Sequence, residues 1–273
     1  MKKVDRLGWA AGFSIKSYGV RIGIRSNDPA CLKRVREHLP FGWELSSSQF
    51  VDRLYSILVG KGSRANARRF NLLYGDHVRL ARSLDLQPVF DTLESDLRLF
   101  VAELARRRVF VHAGVVGWKG RAIVVPGRSF SGKSSLIAEL VRAGATYYSD
   151  EYAVFDSRGR VHTFPKPLEI RQDGSVRQAK VTVETLGGQT GTQPLQVALV
   201  VMTQFKEGAR WRPRKLSAGR GVLELLSNTV SARREPEKAL VALRQVVSTA
   251  QIVKGARGEC RDIVKSILNR AER

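Results

Sequence analysis

Val20, Ile22 and Ile24 alternate with Arg21, Gly23 and Arg25, the two-residue period of a half-buried strand. Ser26-Asn27-Asp28-Pro29 then breaks the strand and supplies a helix cap, and Leu32, Val35 and Leu39 fall on one helical face. Two more strands are predicted around 51–59 and 70–74, with a Gly/Arg/Ser loop at 60–68 between them. Asp91-Thr92-Leu93-Glu94 has the form of a capping box, and Leu93, Leu97, Phe100, Val101 and Leu104 make an apolar stripe behind it. Arg106-Arg107-Arg108 fall in the last turn of that predicted helix, where positive charge suits the helix dipole; a binding role is the other reading.

The texture then changes. Residues 109–116 and 122–125 are β-rich runs joined by Gly117-Trp118-Lys119-Gly120, a hairpin signal. Strands dominate from there to about residue 210, with one helix embedded near 133–142. The C-terminal stretch returns to helices near 222–230, 236–250 and 258–271, the second with Pro at its start. The expectation is a small N-terminal α/β unit over 1–108 and a larger unit over 109–273. No internal repeat and no low-complexity segment interrupts either.

Composition narrows the class. Hydrophobic residues at 43% and charged residues at 26% provide for a globular core and exclude a chain that is mainly disordered. The longest apolar run, Val197 to Met202, is far short of the roughly 20 residues that a membrane span needs. The N-terminus leads into no apolar signal region, and Cys31 and Cys260 are in no metal-ligand spacing; both observations suit a reducing cytoplasm. The charge is unusual: 47 Lys and Arg against 25 Asp and Glu leave +22. Such an excess favours polyanions, among them nucleic acid, nucleotides and acidic proteins. No zinc-finger, RNP or KH pattern accompanies it, so nucleic acid is supported by charge alone.

One motif carries chemistry. Gly127-Arg128-Ser129-Phe130-Ser131-Gly132-Lys133-Ser134 fits G-x-x-x-x-G-K-[ST] in full, with a predicted strand before it and a helix after it. Glycines let the backbone turn so that several N–H groups converge on phosphate oxygens at the positive end of a helix. Gly127, Ser129, Phe130, Ser131, Gly132, Lys133, Ser134 and the adjoining Ser135 are therefore the candidate nucleotide-binding residues. Lys133 would reach the terminal phosphates of ATP and the Ser134 hydroxyl would ligate Mg²⁺. A chance Gly/Ser-rich turn is the alternative, and Arg128 has a solvent-facing reading.

Phosphoryl transfer also needs a carboxylate to position metal or accept a proton. The nearest is Asp150-Glu151, one helix after Lys133 and at the end of a predicted strand; its plain alternative is a solvated turn. Val197 to Met202 would suit the apolar strand of a motor-type ATPase, yet it ends in Thr203-Gln204-Phe205 with no acid. That weakens the motor-ATPase reading.

His112-Ala113-Gly114-Val115-Val116, the glycine-rich loop and Ser149-Asp150-Glu151 together resemble the catalytic domain of the HPr kinase/phosphorylase family in order and spacing. Pro167-Leu168-Glu169-Ile170-Arg171 is similar to that family's Glu-Ile-Arg-Gly signature, and Ala218-Gly219-Arg220-Gly221-Val222-Leu223 to its Gly-Arg-Asn-Leu segment. The resemblance spans about 109–235. It departs in three places: Asp-Glu for Asp-Asp, Gln172 for Gly, and Gly221 for Asn. Residues 1–108 do not resemble the N-terminal domain of the bacterial HPr kinases. The chain looks more like the bacterial HPr-kinase-related kinases that phosphorylate serine on peptides.

The resemblance implies an α/β fold of HPr kinase/PEP carboxykinase-like type, its P-loop set in a strand-rich central sheet flanked by helices. It implies an ATP- and Mg²⁺-dependent kinase acting on a hydroxyl, most simply serine of a protein or peptide. Asp150 would be the base, with His112, Arg171 and Arg220 as further catalytic candidates, the arginines neutralising the transferring phosphoryl group. Ser134, with Glu151 or Glu169, would hold the metal. His112 equally suits a hydrogen-bonded histidine buried in the sheet. The basic surface would suit an acidic or phosphorylated acceptor, the N-terminal unit is a candidate for binding it, and the resemblance implies a homo-oligomer. Two other readings stand beside the kinase: a regulatory ATPase or switch that transfers phosphate only to water, and a nucleotide-linked module whose basic face binds nucleic acid.

Overall fold

The computed structural model describes residues 3–60, 70–127, 131–171 and 178–273. The predicted loop at 60–68 and Arg128, Ser129 and Phe130 of the glycine-rich motif lie outside the described residues, save Gly60. The chain divides into two compact units, Met1–Arg106 and Arg107–Arg273.

The first unit comprises β1 (Ala11–Ser17), β2 (Val20–Ser26), α1 (Pro29–Val35), β3 (Glu44–Leu45), β4 (Arg53–Leu58), β5 (Asn71–Gly75), β6 (Val78–Ser83) and α2 (Gln87–Leu104). Its strands lie in the order β3–β1–β2–β4–β5–β6, with β2 and β4 parallel. Asp28 caps α1 by accepting from the Ala30 N–H at 3.1 Å, as its position before Pro29 predicts. The helix stops at Val35, so Leu39 lies beyond it. The capping-box expectation fails: α2 begins at Gln87 with Pro88 in its first turn, and Asp91 and Glu94 lie inside it. Buried Val89 and Phe90 extend the apolar stripe upstream of the polar pair, and packing sets the start. The helix ends at Leu104, so the three arginines follow it and do not close it. The Arg106 N–H donates instead to Tyr18 O at 3.1 Å.

The second unit runs β7 (Val109–Trp118), β8 (Arg121–Pro126), α3 (Lys133–Arg142), β9 (Thr146–Ser149), β10 (Tyr152–Phe155), β11 (Arg160–His162), β12 (Leu168–Arg171) and β13 (Gln178–Val181). It continues with β14 (Leu195–Phe205), β15 (Arg214–Lys215), α4 (Ala218–Leu226), α5 (Pro236–Thr249), β16 (Gln251–Arg257) and α6 (Cys260–Ala271). The β7–β8 turn is tighter than the four residues expected. Lys119 and Gly120 alone make it, with φ of 48° and 74°, a two-residue turn whose twist matches the flanking strands. The C-terminal helices start at Ala218 and Cys260, not near 222 and 258, and β16 lies between the last two.

The main sheet has the order β11–β10–β7–β8–β14–β16–β15, with β9 also paired to β7. Strands β8, β14 and β16 are mutually parallel, and parallel strands are buried on both faces. On one face Ile123, Val125, Leu199, Val201 and Val253 pack against α3 and α6. On the other Val111, Val115, Val124, Val200 and Ile252 pack against α4 and α5. These side chains are within about 2% of full burial, and each such aliphatic group stabilises the fold by about 1.5–3 kcal/mol. The glycine-rich segment therefore leaves the carboxyl end of a rigid strand, the usual ligand edge of an α/β sheet. No helix among the described residues is long and apolar enough to cross a membrane.

Candidate active site

Strand β8 ends at Pro126, paired with Ala113, and the Gly127 N–H continues the ladder by donating to His112 O at 3.1 Å. Gly127 and Ser131 lie close together: a Cβ on Gly127 would lie 2.7 Å from Ser131 Oγ. Gly132 has φ +78°, a left-handed conformation that glycine adopts without strain. Helix α3 begins at Lys133, with Ser134 and Ser135 in its first turn. Lys133 Nζ reaches back to donate to Gly127 O at 3.4 Å.

The acidic pair is held just across β7. Ser149 pairs with Val115, and Tyr152 with His112, so Asp150 falls opposite Gly114 and Glu151 opposite Ala113. The Ala113 N–H donates to Glu151 O at 3.1 Å. Ser149 Oγ accepts from the N–H groups of Glu151 at 3.3 Å and Tyr152 at 3.1 Å, which fixes the bend between β9 and β10. The solvated-turn alternative fails: Asp150 is only 7% exposed.

The Ser134 side chain lies beside Asp150 and favours its ionised form, and Asp150 Oδ1 is buried with no hydrogen-bond partner among the described residues. Burial pushes its carboxyl up to about 6, against the opposing pull of Lys133, Ser134 and Lys166 and with a small further push from Glu169. Burial likewise lowers the Lys133 ammonium, while Asp150 and Glu151 raise it and Lys166 lowers it further. The buried acid and the half-buried cation thus stabilise each other's charged forms at the start of α3. Perturbed titratable groups of this kind mark functional sites.

Other predicted residues stand as follows. Glu169, on β12, pairs with Lys166 at 3.1 Å beside this cluster. His112 is partly buried, its ring tilted against Tyr152 at 4.9 Å. Both its backbone groups are used, the N–H donating to Asn228 O at 2.8 Å. Arg171 closes β12, and its side chain is outside the description. Arg220 is exposed in the first turn of α4, on the other face of the sheet from α3; no described bond joins it to Lys133 or Asp150. No group of three His, Cys, Asp or Glu side chains among the described residues is arranged to hold a metal.

Two residues of the site had no signal in the motifs. Lys166 is one. Arg257, at the end of β16, is the other: it is 2% exposed and donates from Nη2 to Gly132 O at 2.9 Å and from Nη1 to Gly258 O at 3.0 Å. A Cβ on Gly132 would lie 2.3 Å from that Nη2. A buried guanidinium therefore braces the turn from which α3 starts.

No family model and no curated protein matches this chain. Among solved structures, the Hpr(Ser) kinase/phosphatase from Coxiella burnetii aligns at 13% identity and a TM-score of 0.31, covering 60% of this chain and 88% of that chain. The structural resemblance is distant, and no residue role is taken from it.

Proposed function

We propose that the chain is an ATP- and Mg²⁺-dependent kinase that transfers the γ-phosphate to a hydroxyl, most simply a serine of a protein or peptide. The observation that carries this reading is the buried Asp150, beside Ser134 and Lys133 at the start of α3. A carboxyl kept out of solvent and titrating near neutrality suits a base that takes the proton of an entering hydroxyl.

The residues fit the groups this chemistry requires. Ser131, Gly132, Lys133, Ser134 and Ser135 surround a helix N-terminus with a cation beside it, the environment that phosphate oxygens need. Ser134 offers a hard oxygen ligand next to an unsatisfied carboxylate oxygen, and Mg²⁺ takes most of its remaining ligands from phosphates and water. The missing acidic triad is therefore no obstacle to Mg²⁺ at this position. The metal neutralises phosphate charge when bound.

Each residue then has one task. Lys133 binds the terminal phosphates and offsets the charge developing on them. Asp150 orients the acceptor hydroxyl and receives its proton at Oδ1. Glu151 and Glu169 are candidates to ligate the waters of the metal. Lys166 favours the ionised form of Asp150 at neutral pH. Arg171, Arg220 and His112 are assigned no step.

The test offers γ-labelled ATP with Mg²⁺ to the protein together with acidic serine peptides and a host lysate fraction. Acid-stable label on a peptide or protein, absent with Lys133→Ala, supports the kinase. Label found only as free phosphate supports the regulatory ATPase in its place.

A further inference from the structure

A cavity of about 500 Å³ opens at the carboxyl ends of β8, β14 and β16, on the α4 face of the sheet. Pro126 forms part of its wall, so it begins one residue before the glycine-rich turn. Thr203, Arg212, Arg214, Glu224 and Lys254 also line it. Nothing in the transfer chemistry uses these residues.

Its charge is unbalanced by construction. Arg214 is paired directly opposite Lys254 across the β15–β16 ladder, and like charges so placed repel and cost stability. Lys254 is relieved by an ion pair with Glu224. Arg212 and Arg214 have no carboxylate partner among the described residues. The Thr203 hydroxyl is a third unspent donor, its Oγ1 buried with no hydrogen-bond partner among the described residues. Two guanidiniums without a carboxylate partner and the Thr203 side chain thus line one concave space, which focuses the positive field.

The lining also says what the ligand is not. A nucleobase favours aromatic walls, and no aromatic side chain among the described residues lines this cavity. An oxyanion suits the two arginines of this lining, because guanidinium groups match carboxylate and phosphate geometry. We infer that this cavity is an oxyanion subsite, distinct from the glycine-rich turn and taking a phosphoryl or carboxylate group. The inference stands apart from the transfer reaction, since it concerns binding and uses none of its residues. The anion has two sources: a small free anion, or the acidic flank of an acceptor peptide.

The experiment separates the sources in a background that lacks the loop ammonium. Full-length Lys133→Ala protein is titrated with inorganic phosphate and, separately, with a serine peptide flanked by glutamates. The same titrations are repeated after adding Arg212→Gln and Arg214→Gln, both exposed positions where the fold tolerates the change. The added pair weakens binding about tenfold or more, and the remaining affinity loses much of its salt dependence. Weakening confined to phosphate assigns the subsite to a free anion, and weakening confined to the peptide assigns it to the acceptor; weakening of both assigns it to either oxyanion. Affinities unchanged by the two substitutions, or no binding of either probe before them, overturn the inference.

Discussion

Asp150 stands directly across the β7 ladder from Gly114, and Lys133 passes over that glycine from the helix above. A Cβ on Gly114 would lie 3.3 Å from Lys133 Cγ, and 2.4 and 2.7 Å from Ile137 Cγ1 and Cδ1. The missing side chain lets α3 sit low enough for its first residue to share a buried space with Asp150. Gly114→Ala therefore lifts α3 and costs about 1–3 kcal/mol, as overpacking does. Denaturant unfolding measures the loss, and ATP affinity falls with it. An unchanged midpoint with unchanged ATP affinity would show that the close approach is not needed.

Asp150 sets the pH dependence. A base must be ionised, so transfer rises through about pH 6 and levels off above it. Stability runs the other way. Burial lifts the folded carboxyl above its ordinary 3.8, so the folded chain holds this proton more tightly than the unfolded one. Between about pH 4 and pH 6 stability falls as pH rises, because the ionised form is the costly one to bury. Asp150→Asn is accordingly more stable than wild type at pH 8, by about 1–3 kcal/mol, while transferring no phosphate. Thermal unfolding of both proteins at pH 4.5 and pH 8 checks the sign.

Lys166 tunes that carboxyl from the side. Its charge pulls the Asp150 pKa down against burial, so Lys166→Gln moves the midpoint of the rate profile to higher pH. The plateau rate at high pH stays close to wild type. A lowered plateau with an unmoved midpoint would make Lys166 a structural residue only.

Arg257 acts through the turn it braces. Arg257→Gln removes the charge-assisted bond to Gly132 O and leaves that carbonyl with the Leu136 N–H alone, which costs about 1–3 kcal/mol. ATP affinity drops as the turn loosens, and Arg257→Lys restores part of it by keeping the charge. Equal ATP affinity in all three proteins would separate Arg257 from the nucleotide site.

Much of this was legible from local patterns. The glycines, Lys133 and Ser134 announce a strand–turn–helix because each is demanded by its own neighbours, and α3 begins at Lys133. Val20–Ser26 and the β7–β8 hairpin are readable for the same reason. Strand β16 was not, since Gln251–Arg257 has a short mixed pattern between two stronger helices. Arg257 was illegible with it: its partner is 125 residues away in the chain, and the parallel pairings of β8 with β14 and of β14 with β16 bring the two near. The start of α2 was misplaced because a polar pair of the right form sits inside a helix whose buried stripe begins earlier. Arg212 and Arg214 stand out in the sequence as part of a basic knot over 210–215, whereas their meeting with Lys254 is a product of strand pairing.

The central claim is that Lys133 and Asp150 serve one transfer reaction, the first by binding and the second by chemistry. The most direct measurement compares wild type with Asp150→Asn for ATP affinity and for label passed to an acceptor in a single turnover. The account predicts ATP bound within about threefold of wild type and label on the acceptor reduced to the level of Lys133→Ala. Asp150→Asn protein that labels the acceptor at the wild-type rate would contradict it.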